Sequence, residues 1–163
     1  MPLIQTLSDQ LTLIKVPGFP ASYKSSKGFR HRAIVGLGGN VGDVIRRFQH
    51  LAQLIKREPR ISLLHTSPVL QNPPFGYLDQ DDFLNSVIEI ETNLNPRQLL
   101  TYLLRTEKCF GRKRSFANAP RTLDLDLIFF DKVKMQTPSL TLPHPHWNKR
   151  ESVLIPLRHL GVL

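Results

Sequence analysis

The run Ala119-Pro120-Arg121-Thr122-Leu123-Asp124-Leu125-Asp126-Leu127-Ile128-Phe129-Phe130 alternates acids with leucines and then becomes wholly apolar. On a strand, residues two apart share a face. Leu123, Leu125 and Leu127 are therefore expected in the core, with Asp124 and Asp126 together on the other face, their Cα atoms about 7 Å apart. Two like charges so placed repel, and hard divalent cations bridged by carboxylate oxygens would relieve that repulsion. Arg121, just upstream, adds an anion-binding group. Carboxylates for metal beside a guanidinium for phosphate make the composition of a phosphoryl-transfer site. The plainer alternative is an amphipathic edge strand whose acids are solvated.

Other residues gain meaning beside this pair. Phe83 and Asn85 alternate on one strand face with Leu84 toward the core. A ring beside a single amide suits a planar heterocycle, stacked on the ring and read by the amide's donor and acceptor. His144 is held between Pro143 and Pro145 and is read as a hydrogen-bond donor to phosphate, with His146 structural or exposed. Arg112, Lys113 and Arg114 precede Pro120-Arg121 and read as a phosphate-gripping loop, because the arginine fork binds phosphate bidentately. The segment Gly36-Leu37-Gly38-Gly39-Asn40 lacks the third glycine of a dinucleotide fingerprint and the Lys-Ser/Thr of a P-loop. It reads first as a tight strand-to-helix turn, and otherwise as a place where Gly38 and Asn40 let backbone approach a ligand.

The elements that must position these groups are expected as follows. Ala33–Leu37 forms a buried strand, and Asp43 caps a helix carrying Val44, Ile45, Phe48, Leu51, Leu54 and Ile55 at helical spacing. A second strand runs from about Ile61 to Val69, followed by the turn-rich Gln71-Asn72-Pro73-Pro74-Phe75-Gly76. Phe83–Glu91 makes a third strand. Asn95 caps a helix opening at Pro96 with Leu99, Leu100, Leu103 and Leu104 as its stripe. The loop 111–120 leads into the Asp124 strand, and a helix near residues 150–160 closes the chain. The order βαββαβ fits an α+β ferredoxin-like sandwich, an antiparallel sheet with helices on one face. Residues 1–30 differ in character. Leu11–Val16 suits a short strand ended by Pro17-Gly18, and the segment reads as an accessory extension packed on the domain, with no chemistry assigned to it, leaving 31–163 as the functional domain.

Composition bounds the rest. With 163 residues, 40% hydrophobic and 21% charged, the chain suits one globular domain. No run approaches the length of a membrane span, and the first 20 residues do not pattern as a signal peptide. The single cysteine, Cys109, excludes an intrachain disulfide or cysteine-rich zinc cluster and suits the cytoplasm; it reads as a small core or flanking residue. The net charge of +9 suits nucleic acid or a polyanionic small molecule. An RNA-binding module is the competing reading, but aromatic residues in the order such modules need are lacking, and Asp124 and Asp126 would repel a phosphate backbone. A two-metal nucleotidyltransferase, which would release pyrophosphate, is a second rival.

Taken in order, these segments resemble the 6-hydroxymethyl-7,8-dihydropterin pyrophosphokinase family. The likeness is carried by Gly36–Asp43, Thr66-Ser67-Pro68, Asn72–Gly76, Asp82–Asn85, Glu107 with Gly111-Arg112, Pro120–Leu127, and Leu142-Pro143-His144 with Arg150. The resemblance implies a ferredoxin-like fold, two Mg²⁺, and transfer of the terminal diphosphate of ATP to the pterin hydroxymethyl oxygen with release of AMP. It implies that Asp124 and Asp126 hold both metals and that Arg112, Arg121, His144 and Arg150 meet the triphosphate, with Glu107 on the nucleotide side. It places Phe83 against the pterin, Asn85 on its polar edge, and the Pro73-Pro74-Phe75 loop beside it. Either Asp126 or the metal alone would remove the hydroxyl proton. A second stacking aromatic of the family falls here on Ser152, so Phe75 or Trp147 is expected to complete the sandwich. ATP and the pterin are the expected partners, without nucleic acid or membrane, for a monomer.

Overall fold

The computed structural model describes residues 2–25, 28–112 and 119–162. Its centre is β4 (His31–Gly39), flanked antiparallel by β7 (Phe83–Thr92) and β8 (Asp124–Phe130). On the far side of β7 lie β5 (Ile61–Thr66) along one half and β6 (Val69–Asn72) along the other. Each pairing between named strands is antiparallel among the described residues. The expected α+β class and antiparallel sheet are present, in the β8-β4-β7-β5/β6 order of a ferredoxin-like sheet.

Alternation gives this sheet two buried faces. Val35, Leu37, Ile88, Ile90, Leu125 and Leu127 point to one side. There they meet α1 (Val44–Arg57) through Phe48, Leu51 and Ile55, and α2 (Pro96–Cys109) through Leu99 and Leu103. Asp43 accepts from the Arg46 N–H at 3.1 Å. Asn95 forms a reciprocal capping box with Gln98, both bonds at 2.9 Å. These caps satisfy donors that a first helical turn leaves open. Cys109, the last residue of α2, is exposed, so the flanking alternative holds.

The other face departs from expectation. Instead of all helices lying on one side, α3 (Glu151–Leu160) crosses the opposite surface. There Leu157 joins Ile34, Val87 and Ile128, with Trp147 and Phe129 packed alongside. Odd residues of β4 feed one core and Ile34 feeds the other. A sheet apolar on both faces must be covered twice.

The expected single strand from Ile61 to Val69 is two strands. Pro68 has no N–H to give a ladder, and Ser67 bridges the break instead. Its N–H donates to Val87 O, and its Oγ accepts from Val87 N, each at 2.9 Å. The strand expected over Ala33–Leu37 runs on to Gly39, so Gly38 and Gly39, expected in the turn, are strand residues. The turn is at Gly42, with φ +70°.

The N-terminal segment is built into the sheet. β1 (Leu3–Thr6) and β2 (Thr12–Lys15) form a hairpin, and β2 pairs with β6. β3 (Ala21–Ser22) pairs with β5. Phe19 is fully buried beside Phe48, ring centroids 5.9 Å apart. A small hairpin, β9 (Met135–Gln136) with β10 (Thr141–Leu142), follows β8. Replacing Phe48, which joins the N-terminal segment to the main core, is expected to cost about 3–5 kcal/mol for Phe48→Ala, measured by urea unfolding followed by circular dichroism.

Candidate active site

On the α3 face, the sheet register lays out rows of residues running across the strands. Asn85 on β7 pairs with Gly38 on β4, which pairs with Asp124 on β8. One step along, Val87, Gly36 and Asp126 form the next row. Directly paired residues of antiparallel strands share a face. The central strand therefore contributes no side chain between the amide on one side and the acids on the other. The result is an open cleft of about 640 Å³ with the glycines as its floor. Asn85 and Asp124 are two strand spacings apart, about 10 Å. A Cβ on Gly38 would lie 2.8 Å from Asn85 Oδ1, so a larger residue there would push the amide aside.

Asp124 and Asp126 both line the cleft, while Leu123, Leu125 and Leu127 are buried on the α1/α2 side. Asp124 is flanked by two guanidinium groups, Arg121 at 3.0 Å and Arg112 at 3.7 Å. Asp126 lies at the base of the cleft. Burial first, then the charges of Asp124 and Glu107, push its carboxyl up to about 7, against a smaller opposing pull from Arg121 and Arg150. An acid held so far above its ordinary range is a site where a cation would be stabilising. No cluster of three His, Cys, Asp or Glu side chains suited to a metal occurs among the described residues. Two carboxylates fit Mg²⁺ all the same, because it keeps waters and completes its octahedron with substrate phosphates.

Arg121 is fixed by its backbone. Its N–H donates to Asn40 Oδ1 at 2.8 Å and its carbonyl accepts from Asn40 N at 2.9 Å. Asn40 is itself anchored through Nδ2 to Gln80 Oε1 and Asp81 O. Arg47 donates to Thr122 O at 2.6 Å, and a Cβ at Gly39 would meet that carbonyl at 2.8 Å. The side chain so positioned reaches Asp124 and lies 5.9 Å from the centroid of the Phe83 ring. Its buried Nε has no hydrogen-bond partner among the described residues, a donor suited to an incoming anion.

His144 and Arg150 close the acidic end. His144 N donates to Ile128 O at 2.9 Å, tying the loop to β8. Its Nδ1 accepts from His146 N at 3.2 Å, leaving the proton of the neutral ring on Nε2. Burial, then the charges of Arg150 and His146, lower its pKa, so the ring enters neutral chemistry as an uncharged N–H donor. Arg150 occupies the N-cap position of α3 without capping it through its side chain. Lys149 lines the cleft too, an additional cation beside the expected ones.

At the opposite end, Pro73, Pro74, Phe75, Phe83 and Asn85 all line the cleft, as the sequence suggests. Asn85 Nδ2 donates to Asn72 Oδ1 at 2.6 Å, which orients the amide. Phe75 is 66% exposed, with Arg150 5.1 Å from its ring centroid. Trp147 packs edge-on against Phe129 at 5.0 Å in the α3 cluster. Of the two rings considered as a second stacking surface, Phe75 is the one in the cleft.

Two expected residues do not line it. Arg112 meets the site through Asp124. Glu107 is 1% exposed at the end of α2, its Oε2 accepting the Leu125 N–H at 2.7 Å. It holds the backbone between the two aspartates and adds its charge to theirs. Lys113 and Arg114 lie outside the described residues. Asn72 and the floor glycines act through cross-strand pairing and Asn40 through hydrogen bonds to two loops, which their local sequence signals only as turn-like residues.

Residues 34–161 match the model of the family described as 7,8-dihydro-6-hydroxymethylpterin-pyrophosphokinase (HPPK). A Helicobacter pylori protein named 2-amino-4-hydroxy-6-hydroxymethyldihydropteridine pyrophosphokinase is 39% identical over 141 residues, covering 85% of this chain and 86% of its own. Its namesake from Campylobacter jejuni is 42% identical over 139 residues, covering 85% and 88%. That of Bacillus subtilis is 35% identical over 128 residues, covering 78% and 77%.

Two outcomes test this geometry. Gly38→Ala is expected to displace the Asn85 amide and weaken heterocycle binding roughly tenfold or more, the scale of a mispositioned polar contact, with ATP binding retained; calorimetry with each ligand checks this. The raised Asp126 pKa means the folded protein binds more protons than the unfolded chain between about pH 4 and 7. With chelator present, its contribution to stability is intact at pH 4 and is lost as pH rises through about 7. Asp126→Asn is expected to melt above wild type at pH 8, with the difference vanishing near pH 4, by scanning calorimetry.

Proposed function

This chain belongs to the 7,8-dihydro-6-hydroxymethylpterin-pyrophosphokinase family and is a diphosphotransferase of folate biosynthesis, and we propose that the α3-face cleft is its active site. The reaction carries diphosphate from ATP to 6-hydroxymethyl-7,8-dihydropterin. The hydroxymethyl oxygen bonds to the β-phosphorus as its O–H bond breaks and the proton passes to Asp126 or to solvent; the bond from that phosphorus to the α–β bridging oxygen breaks, and AMP leaves. The observation that carries the assignment is the row Asn85–Gly38–Asp124. It sets a heterocycle-reading amide and a metal-holding acid at either end of a bare floor.

Each group has a physical role in this reading. Phe83 and Phe75 offer ring faces to the flat pterin, and Asn85 pairs with its polar edge. Arg121, between the Phe83 ring and Asp124, lies where the pterin arm meets the triphosphate. Its planar fork grips phosphate oxygens bidentately. His144 adds a neutral N–H, Arg150 and Lys149 add charge, and Arg112 reaches the same acid from the side. Asp124 and Asp126 would hold two Mg²⁺; when bound, the metal offsets phosphate charge and polarises the phosphorus under attack. Holding the two substrates in line supplies much of the remaining acceleration.

The basic surface serves the triphosphate in this account, and no nucleic acid, membrane or second subunit is required. No helix among the described residues is long and apolar enough to cross a membrane. We place the enzyme in the cytoplasm as a monomer.

Mixing the protein with ATP, Mg²⁺ and the hydroxymethyl-dihydropterin should yield AMP, identified by chromatography. ADP would point to transfer of a single phosphoryl group, and pyrophosphate to nucleotidyl transfer; either overturns the reading. Asp124→Ala and Asp126→Ala are expected to lower kcat roughly 100- to 1,000-fold, the scale for losing one group that stabilises transition-state charge, with circular dichroism unchanged.

A further inference from the structure

The turn of the N-terminal hairpin lies outside the family match, which begins at residue 34, yet Ser8, Gln10 and Leu11 line the cleft. The sheet register explains how they reach it. β2 pairs with β6 through Thr12↔Gln71, Leu13↔Leu70 and Ile14↔Val69. Leu13 is 1% exposed and extends the Asn85–Gly38–Asp124 row, because Leu70 pairs with Asn85. Leu11, two residues before Leu13, shares its face. It falls beside Asn72, whose own partner is Phe83. The hairpin therefore continues the floor of the cleft beyond the heterocycle end.

The turn is internally braced. Leu7 N and Ser8 N both donate to Leu11 O, at 2.9 and 3.2 Å. Ser8 Oγ accepts from Gln10 N at 3.3 Å and from Leu11 N at 3.2 Å. The Ser8 oxygen is thus occupied within the turn, and among the turn residues that line the cleft Gln10 carries the remaining polar side chain. The strand behind it is secured by buried Leu13 and Ile14. A half-buried apolar side chain beside an exposed amide, both on a braced turn, suits one edge of a flat ring carrying polar substituents.

We propose that residues 7–11 form the outer wall of the heterocycle subsite, with Leu11 packed against the edge of the bound pterin and Gln10 reading its polar rim. The inference rests on the diphosphate-transfer reading and adds to it a specificity element from outside the conserved domain's match. Leu11 and Gln10 are substrate-binding residues here, remote from the acids that carry the chemistry.

The test measures pterin and ATP affinities by calorimetry, with KM and kcat for each substrate, in Leu11→Ala, Leu11→Met and Gln10→Ala. Leu11→Ala should raise pterin Kd and KM about tenfold, the low end for removing one apolar contact from a pocket, with ATP KM and kcat within twofold of wild type. Leu11→Met should recover most of the loss, and Gln10→Ala should weaken the pterin alone. A purely structural turn would lower Tm and affect both ligands equally, and that result overturns the proposal. So does unchanged pterin affinity in both alanine variants. If wild type still makes AMP in either case, diphosphate transfer stands while the wall falls; if wild type makes none, both fall. Gln10 is exposed, so its variant decides the matter should Leu11→Ala fold poorly.

Discussion

Two carboxylates on one face of one strand, beside a neighbouring strand that sets only Gly36 and Gly38 against them, form the constraint around which this molecule is organised. Asp124 and Asp126 repel each other at close range, and the protein neutralises only one of them well. Arg121 and Arg112 converge on Asp124, while Asp126 sits half-buried at the cleft with its carboxyl pushed up to about 7. Glu107 makes the imbalance larger, because its charge adds to the pair while its oxygen holds Leu125 between them. Such an arrangement carries a repulsion that a cation would relieve. Local instability at a ligand site is a common consequence of organising charge for binding and not for folding.

From those acids the cleft changes character strand by strand. Acids and guanidinium groups stand over β8, bare backbone over β4, an amide and a ring over β7, and leucine over β6 and β2. Strand spacing fixes the intervals, so a substrate with a charged tail and a flat polar head has one way to lie. The floor must remain open for this to work. A methyl group at Gly38 would meet the Asn85 amide at 2.8 Å; on the opposite face of β4, one at Gly39 would meet the Thr122 carbonyl at the same distance. The glycines thus serve close approach between neighbours. The loop bearing Arg121 depends on the second of these contacts and on the paired hydrogen bonds to Asn40.

The helices were legible because their signals are local. Asp43 and Asn95 stand where capping chemistry needs them, and the apolar stripes behind them set which faces are buried. The strand alternation at Asp124 was legible for the same reason. The glycine segment was harder: a run of glycines before a helix usually marks a turn, and only the side chains of β7 and the backbone after Arg121 show why glycine is needed within a strand. Ser67-Pro68 broke an apparently continuous strand because a missing N–H matters only where a neighbour needs it. Glu107 matched a nucleotide-side position in the family pattern, yet its carboxylate turns inward to a backbone amide.

The sequence by itself determined the chemistry available: paired acids, clustered arginines, a ring two residues from an amide, and the family those motifs identify. These are properties of residue type and short spacing, which survive in any register. Tertiary structure alone decided which groups meet. The alignment of Asn85, Gly38 and Asp124 joins three strands distant in the chain, and the placement of α3 above them and of the N-terminal hairpin beside them depends on pairings no local pattern encodes. Cross-strand neighbours are chosen by the packing of the whole sheet, where a shift of one residue would turn every side chain to the other face.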